Sequence, residues 1–114
     1  MDTRLLKALA DPTRMRIVEL LMSHRYCVKA LALQVELSES AVSQHLKLLR
    51  EAGLVEGVSY GYYTHYKINR ALLGELRDQL DALIALKASD AHICDVADTV
   101  GCRKRKDNEG GTNQ

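Results

Sequence analysis

The 114-residue sequence predicts a mostly helical protein with one small β-hairpin. Apolar residues recur at helical spacing in several segments before residue 53 and again after residue 69. Between them, residues 54 to 68 alternate in character, are rich in Val and Tyr, and carry a glycine near their centre. The composition, 46% hydrophobic and 27% charged, is ordinary for a globular chain.

The first two helices are predicted on either side of an Asp11-Pro12 pair. Leucines at helical spacing predict helix 1 over roughly residues 3 to 9, and a second apolar pattern predicts helix 2 over roughly residues 12 to 22. Asp11 is a suitable N-cap, and Pro12 suits the first position of a helix. The pair therefore ends one helix and begins the next.

The next two helices are separated by a tight corner. Apolar spacing in residues 27 to 35 predicts a short helix 3. Ser38 is a good N-cap for helix 4, predicted over roughly residues 39 to 52, and Gly53 is a typical residue for its C-terminal end. A short helix, a corner and a longer helix form the arrangement of a helix-turn-helix.

Helix 4 is polar in its first turns, where the second helix of a helix-turn-helix meets base edges in the major groove. Hydroxyl, amide and imidazole groups bond base edges or phosphates, and Lys and Arg bond phosphates. The alternative interpretation is that these side chains form a solvated polar face. Arg14 and Arg16, at the start of helix 2, could likewise contact phosphates or be only solvated. The predicted DNA contacts of helix 4 are Ser38, Ser40, Ser43, Gln44, His45, Lys47 and Arg50.

Residues 54 to 68 predict a β-hairpin, or wing, that turns at Tyr60-Gly61-Tyr62. Tyr62 and His65 are predicted as further DNA contacts, with packing within the hairpin as the alternative role for the tyrosines. Helical spacing then returns and predicts a long helix 5 with an uncovered apolar stripe. We expect residues 1–88 to form the folded domain and residues 89–114 a C-terminal extension that is disordered towards its end.

Charge and motifs exclude several classes of protein. The formal net charge is only +1, so DNA binding would depend on local basic groups. No apolar run is long enough to cross a membrane and no signal peptide is apparent, so we expect a cytoplasmic protein. The sequence carries no phosphate-binding glycine loop, no H-E-x-x-H and no nucleophile motif, which predicts that it is not an enzyme.

With "LKALADPTRMRIVELL", "LSESAVSQHLKLLREAGLV" and a hairpin ending in "YYTHYKI", residues 4 to 87 resemble the ArsR/SmtB family of small bacterial winged helix-turn-helix repressors. The resemblance implies a homodimer formed through helices 1 and 5. It also implies binding to a palindromic double-stranded operator, and release of the DNA on sensing a metal, a metalloid or a redox signal. The implied interface residues are Leu5, Leu6, Leu72, Leu76, Leu80 and Leu83.

The resemblance to the family is weaker at the residues that would bind an inducer. "YCVKAL" aligns with a family segment that often reads Cys-Val-Cys, but Lys29 stands at the second thiolate position, and helix 5 lacks the histidines of the family's zinc site. Cys94 and Cys102 remain, about 12 Å apart along a straight helix unless the chain breaks at Gly101, with Cys27 as a third thiol.

Soft thiolates favour thiophilic ions, so Cys94, Cys102 and Cys27 are predicted to bind As(III), Sb(III), Cd(II) or Pb(II). Three alternatives stay open. The thiols could form a redox or sulfide sensor. They could have no sensing role. The domain could also be a winged-helix protein-interaction module without an inducer.

Overall fold

The computed structural model describes residues 1–94. Their helices and strands follow the predicted order and complete a winged helix-turn-helix, which confirms the predicted fold class. The Asp11-Pro12 break, the corner before Ser38 and the hairpin all lie where the sequence indicates. The elements are α1 (Thr3–Leu9), α2 (Pro12–Ser23), α3 (Val28–Val35), α4 (Glu39–Glu51), β1 (Val55–Tyr60), β2 (Tyr63–Ile68) and α5 (Arg70–Ile84).

Short hydrogen bonds fix both ends of α4. The Ser38 hydroxyl oxygen accepts the amide of Ala41 at 3.1 Å and thereby satisfies one of the free donors of the first turn. At the other end Gly53 has a φ of 82°, and the amides of Gly53 and Leu54 donate to the carbonyls of Arg50 and Leu49. This left-handed closure, which favours glycine, ends the helix and sends the chain into β1.

The core of the domain is aliphatic and is shared by the first four helices and the base of the wing. Val42, Leu46 and Leu49 come from the inner side of α4 and are at most 2% exposed. Since these side chains interlock with those of α1, α2 and α3, they hold α4 against the rest of the domain. The largest fully buried side chains are Leu5, Ile17, Leu31, Val42, Leu46, Leu49 and Leu54.

The wing is a two-stranded antiparallel sheet with a two-residue turn. Tyr60 pairs with Tyr63, and Gly61, with a φ of 63°, starts the turn between them. Tyr66 also donates its amide to the carbonyl of Tyr26 at 2.9 Å, forming an isolated bridge that ties the wing to the segment before α3. The sequence pattern did not indicate this bridge.

Helix α5 begins against the domain and then leaves it. The Asn69 side chain caps its first turn by accepting the amide of Leu72, and Arg70 donates to the carbonyl of Met22 at 2.6 Å. Leu76 is its last buried residue, and every described residue from Arg77 to Ile93 is exposed. None of the helices in residues 1–94 is both long and apolar enough for a membrane span.

Candidate nucleic-acid interface

Helix α4 separates its apolar and polar residues onto opposite sides. Its apolar side faces the core, as described above. Ser40, Ser43, Gln44 and Lys47 follow the i, i+3, i+4, i+7 spacing that places residues on one face of a helix, and all four are exposed. The polar stripe, as we call these four residues, therefore lies on the outer face of the helix.

The polar stripe has no partners within its own chain. In the described part of the chain, these four side chains make no hydrogen bond and no ion pair. Arg50, also exposed, adds a second positive charge beside Lys47. Together the stripe offers hydroxyl and amide groups that can donate and accept, and an ammonium group that can meet a phosphate.

Two other predicted contacts on α4 are occupied inside the protomer. The Ser38 oxygen is used as the helix cap. His45 is only half-exposed, and its Nδ1 lies 3.3 Å from Nη1 of Arg14 and 4.0 Å from Oδ2 of Asp11. Because this ring nitrogen faces α2, it is not available to a base edge.

Arg14 has neither of the two roles considered from the sequence, which were solvation and phosphate binding. Its guanidinium donates to the carbonyls of Ala8 at 2.6 Å and Lys7 at 3.4 Å, both in the last turn of α1. Arg16 remains on the surface, where it pairs with Glu19 at 3.7 Å. Arg14 is therefore a partly buried residue that joins helices, a role that helix periodicity could not have indicated.

Asp11 completes this cluster as the N-cap of α2. Its carboxylate accepts the backbone amide of Arg14 at 2.9 Å, and this bond lowers the pKa of Asp11. Desolvation opposes the shift, and the charges of Arg14 and His45 add to it. The carboxylate thus stays ionised to a lower pH than a free aspartate, and the stability it contributes is lost as the pH falls through the lowered pKa.

The wing presents aromatic rather than cationic groups. Tyr62 in the turn is fully exposed, and His65 stacks on Tyr60 with ring centroids 5.0 Å apart. Lys67 pairs with Glu56 across the strands at 3.5 Å, so its charge is partly compensated. Contacts from the tip of this wing would therefore be made mostly by tyrosine hydroxyls and backbone amides.

The predicted interface leucines divide into two groups. Leu5 and Leu76 are buried within the protomer, at 0% and 8% exposure, and Leu6 and Leu72 are partly buried beside them. Leu80 and Leu83 are exposed by 40% and 55%. Ile84, which was absent from the predicted set, is 79% exposed, and its position one turn after Leu80 is the signal that could have identified it.

The predicted thiolate site lies partly outside the described residues. Cys27 has a free thiol, is half-buried and precedes the first turn of α3. Cys94 is half-buried at the end of the described chain, and Cys102 falls outside it. Residues 1–94 contain no group of three His, Cys, Asp or Glu side chains placed to hold a metal ion. The described part of one protomer therefore does not supply a metal site.

Residues 11–57 match the model of a family described as "Bacterial regulatory protein, arsR family". The chain is 40% identical over 67 residues to the arsenical resistance operon repressor of Escherichia coli, across 58% of this chain and 57% of that protein. It is 43% identical over 75 residues to the HTH-type transcriptional regulator Rv2034 of Mycobacterium tuberculosis, across 66% of this chain and 70% of that protein. The match spans about half the length of several curated relatives.

Solved structures show the same architecture. An ArsR-like transcriptional regulator from Rhodococcus is 30% identical with a TM-score of 0.69, covering 73% of this chain and 78% of its own. A homodimeric winged helix-turn-helix DNA-binding domain from Mycobacterium bovis, titled a possible ArsR-family regulator, is 29% identical with a TM-score of 0.61. That comparison covers 80% of this chain and 86% of the other.

Proposed function

The chain belongs to the ArsR family of bacterial regulatory proteins. We propose that it is a dimeric transcriptional repressor that binds a palindromic DNA operator. We propose further that it is a cytoplasmic protein. Two copies of α4 would enter successive major grooves about 34 Å apart. The family consists of regulatory proteins, which agrees with the prediction that the chain is not an enzyme.

The observation that carries this proposal is the unpartnered polar stripe of α4. Exposed side chains on a helix are usually solvated, but here four of them form one face on the second helix of a helix-turn-helix. The opposite face is anchored by Val42, Leu46 and Leu49, so the helix is rigidly presented. Gln44 suits adenine, whose N6 and N7 match a side-chain amide, and Ser40 and Ser43 suit base edges or phosphates.

The exposed end of α5 supports dimer formation. Leu80, Leu83 and Ile84 form an apolar strip that nothing within residues 1–94 covers. An apolar strip of this kind on a small domain is typical of an association surface. The relative from Mycobacterium bovis is described as homodimeric, and the described structure shares its fold.

The test of DNA reading is fluorescence anisotropy with the DNA upstream of the protein's own gene and with a shuffled duplex of equal length. We expect preference for the upstream DNA and steep loss of affinity with salt, since binding releases counterions. Gln44→Ala should lower the preference by at least about tenfold, as expected when each of the two subunits loses one base contact. Gln34→Ala, which removes an exposed amide from α3, is the matched control and should leave the preference intact.

The result contradicts base reading if Gln44→Ala weakens binding equally to both duplexes. A wild-type protein without any salt-dependent DNA affinity would instead favour a winged-helix protein-interaction module.

For the inducer we propose a thiophilic ion of the As(III), Sb(III), Cd(II) or Pb(II) class, held by thiolates from Cys27, Cys94 and Cys102. Soft sulfur ligands suit these ions better than hard cations. Since residues 1–94 of one protomer do not gather three donors, the site requires Cys102 or a second protomer. The Escherichia coli relative is named for arsenical resistance, so As(III) is the first ion to test.

The inducer test is a titration of DNA-bound, reduced protein with each ion. We expect DNA release that is lost in Cys94→Ser/Cys102→Ser, with DNA affinity unchanged. Release that persists in this double variant and in Cys27→Ser would contradict a thiolate sensor. A redox or sulfide sensor of the same fold is the second candidate, because Cys94 is disulfide-bonded in this structure. Release by a persulfide donor alone, with a mass change that shows a cross-link, would support it.

A further inference from the structure

The guanidinium of Arg14 lies where three helices meet. It donates to two carbonyls in the last turn of α1, those of Ala8 and Lys7, where a cation is favoured by the helix dipole. Its third contact is with Nδ1 of His45 on α4, at 3.3 Å. A single side chain of α2 thus joins the end of α1 to the middle of α4.

The chemistry of the contact determines the direction of the hydrogen bond between Arg14 and His45. A guanidinium has only N–H donors, so the imidazole nitrogen facing it must accept. The hydrogen bond at 3.3 Å therefore runs from Nη1 of Arg14 to Nδ1 of His45. The charged groups that face the ring are Arg14 and, at 4.0 Å, the Asp11 carboxylate, which is itself held by the Arg14 amide.

His45 is next to Gln44 in sequence but points to a different side of α4. Successive residues of a helix are about 100° apart around its axis. The core residues Val42, Leu46 and Leu49 anchor α4 along one line by close apolar packing. A hydrogen bond to one side of that line resists rotation of the helix about its own axis.

A second arginine acts at the end of the same helix. Arg4 on α1 donates to the carbonyl of Glu51 at 2.9 Å. His45 and Glu51 are six residues apart, about 9 Å along the helix. The two arginines therefore tie α4 to the α1–α2 pair at two separate points.

We infer that Arg14 and His45 are positioning residues for operator recognition, and that His45 acts through Arg14 rather than by touching a base. Their bond sets the rotation of α4 and so determines which bases Ser40, Ser43 and Gln44 meet. This inference rests on the proposed function, because it presumes that the polar stripe reads DNA.

The experiment measures the ratio of operator affinity to shuffled-DNA affinity for His45→Ala, Arg14→Met, their combination and His45→Asn. Asn offers an acceptor oxygen close to the position of Nδ1. We expect His45→Ala and Arg14→Met each to lower the ratio about fivefold to tenfold, the size expected for loss of one typical hydrogen bond. The double variant should be no worse than either single one, and His45→Asn should stay within about twofold of the wild type.

Circular dichroism and light scattering establish that each variant is folded and has the wild-type mass. Should Arg14→Met not fold, Arg14→Lys, which keeps the charge but loses the forked geometry, takes its place. If the Arg14–His45 contact had only a structural role, the variants would lower stability, and His45→Asn would not restore the ratio of operator affinity to shuffled-DNA affinity.

Additive losses in the double variant would overturn the inference, because they would show that His45 contacts DNA by itself. An unchanged ratio in His45→Ala, with the wild-type preference intact, would also overturn it. A wild-type protein with no preference would overturn the proposed function, and this inference with it.

Discussion

Helices α4 and α5 have similar amphipathic patterns but opposite relations to the rest of the protomer. In α4 the apolar side is buried, with Val42 at 0% and Leu46 at 2% exposure, and the polar side has no partners within the described chain. In α5 only Leu76 is buried, and the apolar residues Leu83 and Ile84 are exposed by 55% and 79%. The polar stripe of α4 lacks polar partners, and the exposed end of α5 lacks apolar partners.

The difference shows what each helix requires from outside the protomer. Exposed amide, hydroxyl and ammonium groups are well solvated by water, so the polar stripe needs no partner for stability and is free to bind a charged, hydrogen-bonding surface such as DNA. Exposed leucines gain free energy only by leaving water, so α5 favours association with another apolar surface.

The largest effect is expected for the buried side of α4. Leu46→Ala should destabilise the protomer by about 3 kcal/mol, because it removes a packed side chain and leaves a cavity. Urea unfolding measures the change. Leu33→Ala, at a side chain that is 73% exposed, is the control and should change stability by less than about 0.5 kcal/mol. Equal losses in the two variants would show that α4 is not anchored as described.

The exposed end of α5 should control association. Leu83→Glu is expected to raise the dimer dissociation constant on the order of 100-fold, because each subunit would bury an unpaired carboxylate. Light scattering over a range of protein concentrations measures it, with Leu33→Glu as the matched control on α3. Leu83 is a better choice than Leu76, because Leu76→Glu would also disrupt the protomer core. An unchanged mass for Leu83→Glu would remove the end of α5 from the interface.

Two serines near the start of α4 are expected to differ in their effect on stability, because Ser38 caps the helix and Ser43 belongs to the polar stripe. Ser38→Ala removes the bond to the Ala41 amide and should lower stability by about 1 kcal/mol. Ser43→Ala removes a hydroxyl without a partner in the described chain and should leave stability within about 0.5 kcal/mol of the wild type. Thermal or urea unfolding of both variants measures the two changes in stability. A greater loss for Ser43→Ala would mean that its hydroxyl stabilises the folded domain.

The smallest effect concerns one phosphate contact in each subunit. Lys47→Gln should reduce the slope of log affinity against log salt by about 0.9 for each subunit of the dimer. Anisotropy titrations at several salt concentrations measure the slope. Lys87→Gln, an exposed lysine beyond the end of α5, is the control and should leave it unchanged. Equal slopes for wild type and Lys47→Gln would place Lys47 away from the phosphates.

Local signals were enough to predict the elements and their ends. Asp11-Pro12, Ser38 and Gly53 act on the backbone within a few residues, and each marks a helix end where the structure has one. The polar stripe of α4 could also be predicted, since it follows from helical spacing alone. His45 could not be assigned, because its role depends on Arg14, which is 31 residues away in the sequence.

The sequence by itself determined the winged helix-turn-helix, the outward face of α4 and the apolar stripe of α5. These properties depend on periodicity, caps and turns, which act over one or two helical turns. Only the tertiary structure decided that Leu5 is buried and Leu80 exposed, that Tyr26 joins the wing, and that Arg14 binds His45. Those outcomes depend on which helices meet in space, and a contact between distant residues leaves no periodic trace in the chain.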